Sequence, residues 1–138
     1  MNRARRLART LFGAGFILAG LNHFLMTSFY VSIVPPYLPW PLALVILSGL
    51  AEIGLGALLL FRRWAPLAAW GLIALLIAVF PANLHMALHP ELYPWAPAAA
   101  LWLRLPLQGV FVAWAYWHTR PEALDSAERL AQPVGQVR

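Results

Sequence analysis

The sequence predicts an all-α integral membrane protein, a four-helix bundle with signs of two repeated helical hairpins. Three observations carry that expectation. The 138-residue chain is 62% hydrophobic and only 11% charged, too apolar for a soluble core whose segments must show polar faces. Its apolar residues fall into four stretches, each near the ~20 residues that cross a ~30 Å hydrocarbon layer. Arginines, finally, stand at alternate junctions between those stretches and nowhere else among the joints.

The elements follow in order. Residues 1–10 form a flank carrying Arg3, Arg5, Arg6 and Arg9, and the first span is expected over 11–31. A signal peptide is the competing reading of this end, but the apolar run continues without a small-residue cleavage site, which favours an uncleaved span. A Pro-rich loop leads to the second span at 42–61, whose one charge is Glu52 and whose pattern lacks the amphipathic period of a soluble helix. Arg62 and Arg63 fill a tight connection to the third span at 67–88. A second loop without Arg or Lys leads to the fourth span at 98–117, and 118–138 form a tail.

By the positive-inside rule both termini and the Arg62-Arg63 turn are expected in the cytoplasm of a bacterium, with the two Pro-rich loops outside its inner membrane. Tyr30, Tyr37, Trp40, Tyr93 and Trp95 then form the outer aromatic girdle, and Trp64, Trp114, Tyr116 and Trp117 the inner one. The net charge of +5 is read as orientation and contact with anionic headgroups of the lipid bilayer, not as a nucleic-acid surface. Cysteine is absent, which excludes disulfides, thiolate metal sites and any dithiol couple of the chain's own. No metal site is expected.

Prolines mark the joints. Pro41, Pro66 and Pro97 stand near first turns, where a missing amide costs nothing, whereas Pro81 and Pro106 lie inside spans and are expected to kink them and free the carbonyls of Ile77 and Trp102. The segment Pro36-Tyr37-Leu38-Pro39-Trp40-Pro41 resembles Leu92-Tyr93-Pro94-Trp95-Ala96-Pro97, and Glu52 and Gln108 fall at the same offset from the two closing prolines. Two hairpins related by an axis along the membrane normal would produce that pattern.

The candidate site is the set of polar residues carried by these spans: Asn22, His23, Glu52, Asn83, His85, Arg104 and Gln108. At ~1.5 Å per residue Glu52 lies ~15 Å inside the outer end of its span, and His23, Asn83 and Arg104 lie ~10 Å inside theirs. A central Glu or Arg costs roughly 2.5–3.5 kcal/mol to insert, so each should meet a partner or a water-filled cavity. Glu52 with Arg104 is the expected pair. Gly15, Ala19, Asn22 and Met26 on one stripe, and Ser48, Glu52 and Gly56 on another, are expected to face into the bundle, since small residues let membrane helices approach. Plainer roles exist for several of these: Asn22 and Asn83 as helix bridges, Arg104 snorkelling on its long stem, and His85, His89 and His118 at interfaces. Glu52 is too short and too deep for any of them.

The segments Gly20-Leu21-Asn22-His23-Phe24, Val34-Pro35-Pro36-Tyr37-Leu38-Pro39, Leu47-Ser48-Gly49-Leu50-Ala51-Glu52-Ile53-Gly54, Phe80-Pro81-Ala82-Asn83-Leu84-His85-Met86 and Trp102-Leu103-Arg104-Leu105-Pro106-Leu107-Gln108 resemble those of DoxX-family membrane proteins. The likeness runs from the first span through the fourth and leaves out the tail after Trp117. It implies a four-helix inner-membrane protein of mostly unassigned activity, in a family with links to membrane redox complexes. One reading is a small subunit or accessory protein of a membrane oxidoreductase partner, holding a quinone or similar lipophilic molecule among His23, Glu52, Asn83 and Arg104. In that reading Glu52 relays a proton and Arg104 polarises a carbonyl. The contrasting reading is a non-catalytic binder, transporter or scaffold whose polar cluster serves helix packing. Haem is a further alternative, with His23 and His85 on different spans at similar depth as axial ligands.

Overall fold

The computed structural model describes residues 3–120, and the expected tail beyond Arg120 lies outside them. Every regular element is helical: α1 (Arg3–Leu25), α2 (Thr27–Ser32), α3 (Pro41–Leu60), α4 (Ala65–Leu88), a 3-10 turn (Pro90–Leu92) and α5 (Ala98–Thr119). Among the described residues three helices, α3, α4 and α5, are long and apolar enough to cross a membrane. Only 17–28% of each such window is buried inside the molecule, so leucines such as Leu47, Leu67 and Leu103 point outward. An outward-facing apolar surface of that extent fits a bilayer and not water, and the chain is a membrane protein on that ground.

The first helix departs from the expected 11–31. It begins in the arginine flank, at Arg3, and stops at Leu25, with Met26 at φ −126° and ψ 45° before α2 resumes. Thr27 explains the break locally, because its hydroxyl donates to the carbonyls of His23 (2.9 Å) and Phe24 (3.1 Å), a side-chain competition that bends helices. The prolines at first turns behave as expected: Pro41 opens α3 and Pro66 sits in the first turn of α4. Trp40, just before Pro41, adopts the left-handed conformation at φ 51°. The right-handed helical region is disfavoured for a residue preceding proline, and here the turn into α3 is made on the other side of φ. Helices α4 and α5 run on through Pro81 and Pro106.

Packing proceeds from neighbour to neighbour: α1 against α3, α3 against α4, α4 against α5. The α1/α3 seam is the tightest. A Cβ on Gly13 would lie 2.8 Å from the Gly56 carbonyl oxygen, and one on Gly20 2.6 Å from that of Gly49. Two glycines seven apart on one helix therefore meet two glycines seven apart on an antiparallel partner. Of the expected stripe, Gly15 and Ala19 lie off this seam, on the face of α1 that lines an open cavity between the helices, and Met26 faces outward. Buried apolar residues gather at the two ends. Phe12, Leu59, Ala68, Leu72 and Ala115 belong to the cluster toward the arginine end, and Ile33, Met86, Tyr93 and Leu101 form the one at the loop end.

Candidate functional site

The order of packing leaves α1 and α5 as the ends of a row that side chains close at the arginine end, and a cavity of about 570 Å³ lies between the two helices. Toward the arginine end its floor is aromatic. Phe12 stacks on Trp114 with ring centres 4.6 Å apart and meets Phe16 edge-on at 5.0 Å, and Phe111 joins the lining. Below this floor Arg5 donates to the carbonyls of Trp117 (3.2 Å) and Arg120 (2.7 Å), tying α1 to the end of α5.

Toward the loop end the walls turn polar. On the α1/α3 side stand His23, Tyr30 and Glu52, and on the α4/α5 side Asn83, Arg104 and Gln108. The helix break at Met26 assembles the first wall. In a continuous helix Tyr30 would sit ~10.5 Å further along the axis than His23. Instead its ring stacks on the imidazole at 3.9 Å and 16°, and its hydroxyl accepts from Asn22 Nδ2 at 2.8 Å. Asn22 thus holds Tyr30 in place without lining the cavity itself. His23 Nδ1 lies 2.9 Å from the Ala19 carbonyl oxygen and 3.4 Å from Glu52 Oε2. That carboxylate oxygen is buried and has no hydrogen-bond partner among the described residues.

The opposite wall is a bonded chain. Arg104 Nε donates to Asn83 Oδ1 (3.2 Å), Asn83 Nδ2 donates to Gln108 Oε1 (2.6 Å), and Gln108 Nε2 donates to the Leu76 carbonyl. Both functional groups of the Gln108 amide are therefore used within the α4/α5 pair. Each hairpin joins its two helices by the residue eleven places past the proline near the start of its second helix: Glu52 reaches His23, and Gln108 reaches Asn83.

The expected Glu52–Arg104 pair does not form. No ion pair joins them among the described residues, since α3 and α5 are not packing neighbours and face each other across the cavity. Glu52 turns to the adjacent α1 and Arg104 to the adjacent α4. His85 is placed elsewhere too. Its Nδ1 lies 3.1 Å from the Tyr93 hydroxyl in the loop-end cluster, and it takes no part in lining the cavity, so His23 and His85 do not face one another as axial ligands of one haem would. Burial raises the Tyr93 hydroxyl above its ordinary pKa and keeps it protonated.

Tyr30 and the aromatic floor were not among the candidates read from the sequence. Tyr30 stands one heptad after His23, and Phe12 and Phe16 one turn apart on α1, but such spacings are common in apolar helices and single out nothing without the break at Met26. No curated protein and no solved structure matches the chain. A family model described as a domain of unknown function (DUF8561) matches residues 12–119, the stretch that carries every polar residue of the cavity, and the chain belongs to that family.

Proposed function

We propose that this protein is a small, four-span inner-membrane subunit or accessory protein of a quinone-linked redox system, resembling the DoxX family, with both termini cytoplasmic and the polar end of its cavity in the outer half of the bilayer. One observation carries the reading: a single cavity sets an unsatisfied buried carboxylate oxygen on one wall against an arginine on the other, above an aromatic floor. At about 570 Å³ its volume falls within the ~300–1,000 Å³ of small-molecule sites. The opening between α1 and α5 faces where lipid would lie, so a lipophilic molecule enters sideways from the bilayer.

The chemistry of the walls suits a flat ring bearing oxygens. Arg104 and Asn83 present donors to a carbonyl, Glu52 takes a proton from a quinol hydroxyl or relays one to a reduced quinone oxygen, and Phe12, Phe16, Phe111 and Trp114 pack the apolar body. Electrons come from a partner oxidoreductase subunit, for this chain has no cysteine couple. The test is purification in mild detergent, mass spectrometry of co-purifying lipophilic molecules, and labelling by a photoreactive quinone analogue. Retention of a quinone and labelling of α1 or α5 peptides, both lost in Glu52→Gln and Arg104→Gln proteins that remain folded, is the expected result. A folded protein that neither retains nor is labelled by a quinone overturns it. A second reading, that the polar residues only join helices, is favoured at Gln108, whose amide is fully bonded within the α4/α5 pair.

A further inference from the structure

Beyond the cavity, the loop end carries a second group of chemically active side chains, on the last turn of α4 and the 3-10 turn after it. His85 and His89 are one helical turn apart, and the His89 amide donates to the His85 carbonyl at 3.0 Å, so the turn that relates them is hydrogen-bonded although His89 itself caps the helix. Their rings stand 4.6 Å apart, centre to centre, tilted by 40°. Each ring is held from behind through the same nitrogen. His85 Nδ1 is 3.1 Å from the Tyr93 hydroxyl, and His89 Nδ1 is 3.3 Å from Glu91 Oε1. Neither Nε2 is engaged among the described residues.

We infer that His85 and His89 form a two-histidine site for a divalent transition-metal ion of the zinc and copper class, bound through their Nε2 atoms at the outer face of the protein. Two features of such a site are present, an outer partner for each imidazole and a ring spacing that one ion can bridge. Metal-bound histidines donate their other ring nitrogen to a carboxylate or another oxygen, which fixes the tautomer and the ring. Tyr93 and Glu91 stand where those acceptors belong. With bonds of about 2.0–2.1 Å to the metal and about 1.1 Å from nitrogen to ring centre, two imidazoles sharing an ion at about 90–110° have centres about 4.5–5.2 Å apart. The observed 4.6 Å lies in that interval.

Access and charge agree with the inference. The His89 and Glu91 side chains are 47% and 63% exposed, and Glu91 adds a negative charge beside the pair. Among the described residues no third His, Cys, Asp or Glu completes a cluster with them. Two imidazoles with water in the remaining positions make an open, exchangeable site, and imidazole selects zinc, copper or nickel over the harder calcium and magnesium ions. The inference departs from the sequence expectation of no metal site, and it is independent of the quinone cavity.

The test uses the full chain, purified in detergent without a histidine tag, and titrated with Cu²⁺ alone while its electron paramagnetic resonance spectrum is recorded. One Cu²⁺ per chain with a two-nitrogen signature, displaced by Zn²⁺, is expected. His85→Gln and His89→Gln should each leave at most one nitrogen and weaken binding at least tenfold. Tyr93→Phe should keep both nitrogens and weaken binding by about tenfold, the lower end of the effect of removing an outer partner. Thermal unfolding of the exposed His89→Gln variant keeps loss of the site distinct from loss of the fold. A wild-type protein that takes up no Cu²⁺ at equimolar metal overturns the proposal. So does a signature unchanged in both histidine variants, which would move the metal to His23, His118 or the N-terminus.

Discussion

Glu52 Oε2 lies 3.4 Å from His23 Nδ1 across the α1/α3 seam, and on the far side of the cavity Arg104 is tied to Asn83. The carboxylate therefore has its closest polar neighbour on the helix that packs most tightly against its own. His23 Nδ1 is shared with the Ala19 carbonyl, 2.9 Å away, so the imidazole satisfies the backbone first and leaves part of the carboxylate's hydrogen-bonding capacity to whatever occupies the cavity.

That placement decides which double-mutant cycle shows coupling. Glu52→Gln and His23→Gln are each expected to destabilise the detergent-solubilised protein, and the double variant to lose less than the sum, with a coupling of about 0.5–3 kcal/mol. Glu52→Gln combined with Arg104→Gln should instead be additive within about 0.3–0.5 kcal/mol, as for residues that share no partner. Denaturant unfolding of the six proteins, wild type included, measures both. Coupling to Arg104 and none to His23 would restore the pair expected from the sequence.

The glycine seam supplies a sharper contrast between neighbouring positions of one helix. A Cβ at Gly20 would come within 2.6 Å of the Gly49 backbone oxygen, which cannot swing aside, whereas one at Gly15 would meet nothing within 4 Å. Gly20→Ala is expected to cost about 1–3 kcal/mol, the usual range for overpacking. That exceeds the helix propensity gained, at most about 1 kcal/mol. Gly15→Ala keeps the gain without the clash. A melting temperature lowered equally by the two substitutions would mean that α1 does not meet α3 through Gly20.

The contrast also shows what the amino-acid order could and could not say. Composition and the apolar runs announce an all-helical chain, and Pro41, Pro66 and Pro97 mark first turns because the missing amide is harmless there. Faces were harder to read. In helices apolar all round, hydrophobic periodicity no longer distinguishes inside from outside, so small residues have to stand in for it, and nothing in α1 alone ranks the Gly13 and Gly20 stripe that forms the seam above the one through Gly15 and Ala19. Only the matching seven-residue spacing of Gly49 and Gly56 on α3 separates them. For the site, His23, Glu52, Asn83, Arg104 and Gln108 stood out because polar residues are costly in such segments, and the structure sets all five around one cavity. Their partners were not legible. Depth alone paired Glu52 with Arg104, but which helices are neighbours decides contact, and α3 is not a neighbour of α5.

Orientation in the bilayer is tested from the two loops. Leu92 is 56% exposed in the 3-10 turn, and Leu38 lies in the other Pro-rich connection. Cysteines placed singly at these positions, in a chain that has none of its own, should react with an impermeant thiol reagent in intact cells. A cysteine at exposed Arg63 should react only after the membrane is opened. The reverse pattern would turn the molecule over and put the polar end of the cavity in the inner half of the membrane.

The last prediction fills the cavity without touching its polar groups. Gly15 lines the cavity, is exposed, and offers a Cβ open space on every side. Gly15→Phe therefore projects a ring into the volume between α1 and α5 where the ligand's apolar body is expected, above Phe12 and beside Phe16. Stability in detergent should change by less than about 1 kcal/mol, because replacing a helical glycine gains backbone entropy and nothing is displaced. Quinone-analogue labelling should fall at least tenfold, equivalent to about 1.4 kcal/mol of lost binding, even though Glu52, His23 and Arg104 are intact. If labelling persists at the wild-type level in a folded Gly15→Phe protein, the analogue binds somewhere other than this cavity. A loss of fold, in turn, would show that α1 and α5 close on each other more tightly in the membrane than their separation here implies.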